Sequence, residues 1–309
     1  MIDVCLLGTG GMMPLPYRSL TSMMLRYKGS SILLDCGEAT QIAVRRRGWS
    51  FNPIDLILIT HFHADHISGL PGMLLAMGNA DRTEPVTLVG PPGLERIVRS
   101  LLVIAPRLPF KLEFIELEDI ADVQTLNLLG LEIHAFRLQH SMLCYGYSFT
   151  LHRAGKFNPA AAKALGLPVN YWGKLQRGDT VSYEGKEYTP DLVMGGARKG
   201  LKIAYATDTR PIAQISKEAS GADLFICEGM YGDGSAESDH KAREKKHMTM
   251  QEAASLAANA EIAPEKMWFT HYSPSFINPQ DYEESAKSIF PAAEVVKDRA
   301  SLVLDFEED

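Results

Sequence analysis

Residues 60–72 read THFHADHISGLPG. His61, His63, Asp65 and His66 fall within six consecutive positions, directly after LILIT (56–60), an apolar run with the character of a buried strand. In an extended or tightly turning segment, residues two apart project to the same side. His61 and His63 therefore face one point, while Asp65 and His66, at the start of the next turn, face a neighbouring one. Three imidazoles this close would repel one another if protonated, and a cation between them removes the conflict. Imidazole and carboxylate together suit zinc, with manganese or iron also compatible. The plainer alternatives are a surface loop rich in histidine by chance, or a phosphate-binding turn. Two ions with open coordination positions need more than these four groups, and His140, Asp208 and His271 are the obvious completions.

Those three belong to a wider pattern. Asp35 ends SILLD, His61 follows LILIT, and His140 ends the strand-like LEIHAFRLQ. Asp208 follows IAYAT, Glu228 ends LFIC, and His271 follows MWFT. Ligand sites in α/β proteins gather where strand ends meet loops, because the sheet fixes positions while the loops leave space. Repeated strand endings of this kind predict a common rim. Between the strands lie helical stretches. ATQIAVRRRG closes on Gly48, PPGLERIVRSLL has Pro92 placed to open a helix, and TMQEAASLAANA follows the later strands. The alternation predicts one α/β domain of two packed sheets with helices outside.

At 309 residues, 46% hydrophobic and 22% charged, the chain has the composition of a globular protein. No apolar run is long enough to span a membrane. MIDVCLLGTGG shows no basic region followed by an apolar one, so no secretory signal is expected. Cys5, Cys36, Cys144 and Cys227 lie far apart in apolar segments, which predicts reduced core thiols and a cytoplasmic setting. The net charge of −7 argues against a surface coated for nucleic acid, but it is an average. Residues 152–202 carry nine Lys or Arg against four Asp or Glu. This segment has poor periodicity and reads as a solvated insertion or long hairpin.

The motifs resemble a known family. His61-Phe62-His63-Ala64-Asp65-His66 matches the H-x-H-x-D-H signature of the metallo-β-lactamase superfamily, and His140, Asp208 in ATDTR and His271 in FTHYSP follow in the expected order. Within that superfamily the chain resembles ribonuclease Z, the tRNA 3′-processing endonuclease, through LGTGGMMP, HADHISGLPG, LVGPPGLE, the His140 to Gly146-Tyr147 spacing, AYATDTRP and KHMT. The resemblance implies an αββα sandwich, two mixed sheets flanked by helices, over residues 1–309. It also implies two zinc ions per chain, one held by His61, His63 and His140, the other by Asp65, His66 and His271, with Asp208 bridging. Asp65 would orient the attacking water, His247 in KHMT would protonate the leaving oxygen, and Glu228 would orient His247.

The same resemblance gives the basic segment a role. Residues 152–200 would form an inserted flexible arm that grips RNA, with Lys156, Lys163, Lys174 and Arg177 meeting phosphates. Tyr171 or Trp172 would pack on a sugar or on the arm's own hairpin. At its tip the segment reads Leu167-Pro168-Val169-Asn170, where the family has a Gly-Pro pair. The implied partners are precursor tRNA and a second copy of the chain, with no membrane. The same metal ligands also serve hydrolases of small phosphodiesters and other esters, so the alternative is an enzyme that does not act on tRNA.

Overall fold

The computed structural model describes residues 1–307 except Pro106, Ala197 and Asp233. Among these residues two seven-stranded sheets form, each mixed in strand direction. From edge to edge the first runs Ala300–Leu304, Ile2–Gly8, Ser22–Tyr27, Ser30–Leu34, Ile54–Leu58, Val86–Gly90 and Leu112–Glu116. The second runs Ala293–Glu294, Met267–Thr270, Leu224–Glu228, Arg198–Ala206, Cys144–Arg153, Leu131–Leu138 and Gln124–Leu128.

Both faces of the first sheet are covered, which is why its central strands read as continuous apolar runs. Cys5, Leu7, Met24, Leu33 and Ile57 pack on Val44, Leu70, Leu74 and Val98 from helices Thr40–Arg47, Leu70–Gly78 and Leu94–Leu101. The alternate residues Val4, Leu6, Met23, Leu25 and Ile32 are equally buried. On the second sheet Phe136, Ala204, Phe225 and Phe269 pack on Ile215, Ala253, Ala257 and Ala286 from another set of helices. Thr21 Oγ1 and Thr270 Oγ1, 2.9 Å apart, tie the two sheets, as does the Tyr147 hydroxyl donating to the Ile59 carbonyl at 2.9 Å. The arrangement is the αββα sandwich.

Sheet direction builds the rim. Strands Arg198–Ala206, Leu224–Glu228 and Met267–Thr270 are parallel, with Ala206 beside Cys227 and Glu228 beside Thr270. Asp208, Glu228 and His271 therefore emerge at the same sheet end. Ser30–Leu34 and Ile54–Leu58 are likewise parallel, which aligns Asp35 with the chain entering His61.

Two local expectations are corrected, and two strands join that no expectation covered. Pro92 does not open a helix: the helix begins at Leu94, with Gly93 at φ 89° as its cap, a conformation glycine adopts without cost. His140 does not end its strand, which stops at Leu138 and leaves His140 in the following turn. The strands Leu112–Glu116 and Gln124–Leu128 have no apolar run to announce them, because each is a partly exposed edge strand.

Residues Leu151–Leu201 form a compact unit of their own, and Met1–Thr150 with Lys202–Asp309 form the other. The smaller unit holds helices Pro159–Ala164 and Val169–Gln176 and a hairpin of Val181–Tyr183 with Lys186–Tyr188. A small core of Ala162, Leu167, Leu175, Val181 and Val193 supports them. It is thus more structured than a hairpin. Its helices are too short for apolar periodicity to show.

Candidate metal centre

The sequence drives the chain into an unusual conformation at the rim. Asp35, Asp208 and His271 all have positive φ, at 59°, 40° and 58°. Non-glycine residues held there cost about 1–3 kcal/mol each and cluster at functional sites. Two close approaches need glycine. A Cβ on Gly69 would lie 1.8 Å from the Gly37 carbonyl, so the segment after Asp35 and the turn after His66 meet only if it is absent. A Cβ on Gly11 would lie 2.6 Å from the His271 ring.

Two groups of donors result. His61 Nε2 and His140 Nε2 lie 3.0 and 3.2 Å from His63 Nδ1. His66 Nε2, His271 Nε2 and Asp65 Oδ2 form the other triangle, with sides of 3.3, 3.4 and 3.6 Å. Asp208 stands between them. Its Oδ1 lies 3.3 Å from His66 and 3.2 Å from His271, and its Oδ2 lies 3.7 Å from both His61 and His140.

Three of the imidazoles, those of His61, His66 and His140, are aimed by the atom behind them. His66 Nδ1 donates to Asp35 Oδ2 at 2.8 Å, His140 Nδ1 to the Lys246 carbonyl at 3.1 Å, and His61 Nδ1 to Thr60 Oγ1 at 3.0 Å. Asp35 is fixed in turn by Thr60, whose backbone N–H donates to its Oδ1 at 2.8 Å. In all three histidines the Nε2 lone pair is left facing the centre. Asp65 Oδ2 accepts from the Met12 backbone N–H at 2.7 Å.

Electrostatics favour the donor role at His61, His63 and His140. Burial, reinforced by the neighbouring imidazoles, holds His61 well below the usual histidine range, and burial also lowers His63 and His140. Burial alone would raise Asp208, but the surrounding imidazoles hold it well below the carboxylate range. Burial would lower His66, yet the Asp208 and Asp35 carboxylates raise it. The tetrahedral spacing of ligand atoms around a zinc ion, with bonds of about 2.0–2.1 Å, is about 3.3 Å. The donor separations bracket that value, and imidazoles converge with carboxylates. The residues fit divalent cations.

Beside this centre lies a second constellation. His247 Nδ1 is 3.1 Å from Glu228 Oε2, and Glu228 is fully buried. Glu228 also accepts from the Thr209 N–H at 2.5 Å and the Met248 N–H at 3.4 Å. The His247 ring sits 5.0 Å from that of His140 and 5.3 Å from that of His271. Burial would lower His247, but the Glu228 charge and hydrogen bond outweigh it and push its pKa up to about 9.

The structure thus brings together His61, His63, Asp65, His66, His140, Asp208, His271, His247 and Glu228. Lys156, Lys163, Lys174 and Arg177 lie exposed in the smaller unit. Trp172 donates to the Leu167 carbonyl at 2.9 Å and Tyr171 packs on Tyr183, so of the two readings of these rings the arm's own hairpin and core are where they lie. Sequence reasoning noted Asp35 as a strand ending but gave it no task. The only available signal was its place in the rim pattern.

The fold and this donor set are those of a metallo-β-lactamase-type hydrolase. Human tRNase Z, short form, has the same fold, at a TM-score of 0.70 and 22% identity, covering 98% of this chain and 100% of that one. Residues 2–159 match the family described as anti-Pycsar protein Apyc1. Over the full length of both chains, ribonuclease Z of Lachnospira eligens is 58% identical, and that of Lachnoclostridium phytofermentans is 52% identical. The chain belongs to the ribonuclease Z family. It is a metal-dependent hydrolase acting as an endoribonuclease.

Proposed function

We propose that this enzyme removes 3′ trailers from precursor tRNA with two zinc ions, acting as a homodimer in the cytoplasm. The observation that carries the chemistry is the carboxylate of Asp208, whose two oxygens face two separate donor triangles. His61, His63 and His140 would hold one cation, and Asp65, His66 and His271 the other. Bound there, a pair of divalent cations supplies Lewis-acid charge that makes water nucleophilic near neutral pH and offsets charge on the phosphate.

The chain's own groups do the rest. Asp65, braced by the Met12 amide, orients the attacking water toward phosphorus. The opposite tRNA 3′-oxygen leaves with a developing negative charge and needs a proton. His247 gives that proton from Nε2, because Nδ1 is engaged by Glu228. The Glu228 carboxylate keeps the imidazole both aligned and protonated until that moment.

The arm supports RNA rather than a small ester as substrate. Its exposed Lys156, Lys163, Lys174 and Arg177 have no part in the bond-breaking step, and a polyanion extending past the cut gives them phosphates to meet. No helix among the described residues is long and apolar enough to cross a membrane. Incubating zinc-loaded protein with a 3′-extended precursor tRNA, beside bis(p-nitrophenyl) phosphate, tests the reading. One cut at the trailer junction is expected. Turnover of the small ester with the precursor left intact would replace it with a small-phosphodiester hydrolase.

A further inference from the structure

Arg210 lies two residues beyond Asp208 and reaches the loop that carries His247. Its Nη1 donates to the His247 carbonyl at 2.5 Å and to Glu252 Oε2 at 3.1 Å, while Nη2 pairs with Glu252 Oε1. Glu252 is itself tied to that loop. It accepts from the Thr249 N–H at 3.0 Å, and its own N–H donates to Thr249 Oγ1 at 3.2 Å, closing a capping box at the head of helix Met250–Ala258.

The ion pair is largely removed from water, the Arg210 side chain being 13% exposed and that of Glu252 21%. Such pairs give little net stability, because desolvation offsets attraction and apolar replacements often do as well. A planar guanidinium engaged by two prongs contributes fixed geometry instead. Here the fixed object is the backbone of His247.

Three consecutive residues thus serve the two halves of the site. Asp208 stands between the donor triangles, the Thr209 N–H holds Glu228, and the Arg210 side chain holds the His247 carbonyl. We infer that Arg210 is a positioning residue for leaving-group protonation: braced by Glu252, it fixes the His247 backbone so that the imidazole stays between Glu228 and the departing oxygen. The inference rests on the reading of His247 as the acid. A displacement of about 1 Å at a reacting group is enough to cost roughly a hundredfold in rate.

The test compares two leaving groups. The 3′-oxygen of RNA needs a proton to depart, whereas p-nitrophenolate does not. Arg210→Ala should lower kcat on precursor tRNA by roughly 10–100-fold. KM should change little and metal content not at all, and the loss on bis(p-nitrophenyl) phosphate should be about tenfold smaller. Arg210→Lys keeps the charge without the fork. It should show the same split with a smaller loss, and it carries the test if the alanine variant fails to fold. His247→Ala is measured alongside and should show the split at least as strongly. If His247→Ala splits the substrates and the folded Arg210 variants slow both alike, Arg210 is a structural brace and the inference is wrong. If His247→Ala itself slows both alike, the acid assignment fails and the inference goes with it.

Discussion

Asp35 Oδ2 accepts from His66 Nδ1 at 2.8 Å, and both side chains are wholly buried. The pair joins one sheet end to the turn that carries His66 across 31 positions of sequence. A carboxylate behind a metal-facing imidazole fixes its ring and raises its basicity, and loss of such a partner typically lowers metal affinity about 10–100-fold.

If the proposed cation is held by Asp65, His66 and His271, Asp35→Asn should weaken its binding by about that factor. Asparagine tolerates the positive φ of this position and still accepts from Thr60. Its amide N–H, however, opposes the N–H of His66. Chelator competition on the folded variant measures the effect. Unchanged affinity would count against a role for Asp35 in aiming His66.

Asp208→Ala should strip both ions, since its two oxygens serve both triangles. Wild-type protein should retain about two zinc ions per chain after mild dialysis, with elemental analysis as the readout. His247→Ala should keep its metal and lose roughly 10²–10⁴-fold in turnover on precursor tRNA. If His247→Ala lost zinc as readily as Asp208→Ala, the separation of ligand and acid would be wrong.

The pH profile follows from the His247–Glu228 pair. His247 must be protonated to act as an acid, and its pKa is pushed up to about 9. Activity should thus persist through neutral pH and fall as pH rises through that value. In Glu228→Gln the charge that raises the pKa is gone while the burial that lowers it remains, so the alkaline limb should move to lower pH. A limb that stays in place under kcat measurement would separate Glu228 from the acid.

Much of this site was legible because its parts are local or punctuate strands. His61, His63, Asp65 and His66 announce themselves by spacing alone, and Asp208 and His271 by following apolar runs at parallel strand ends. Partnerships across distant segments leave no such trace. Nothing near Asp35 points to His66, and Arg210 in TDTRP looks like any exposed basic residue until the fold brings it under the His247 carbonyl. The edge strands escaped notice because half-exposed strands mix polar and apolar residues. The arm's core escaped because one buried residue per short helix gives no period.

The arm carries the last prediction, and its geometry shows where to cut. Asn158 N–H donates to the Val193 carbonyl at 2.7 Å and Gly195 N–H to the Lys156 carbonyl at 2.8 Å, so the chain enters and leaves side by side. Replacing residues 159–192 with a short glycine turn removes the two helices and the hairpin together while leaving these paired ends. If Lys163, Lys174 and Arg177 grip RNA away from the cut, this deletion should raise KM for precursor tRNA and spare bis(p-nitrophenyl) phosphate. The affinity lost should be the salt-sensitive part, because each phosphate contact contributes about 0.9 to the slope of log affinity against log salt on duplex nucleic acid. Substituting the three residues by alanine in the intact arm should lower that slope by up to about 2–3 without disturbing the Leu175–Val181–Val193 core. A folded deletion that processes precursor tRNA at the full rate would make the segment a solvated insertion. Equal damage to both substrates would mean that it shapes the active site, and would favour a small phosphodiester as the true substrate.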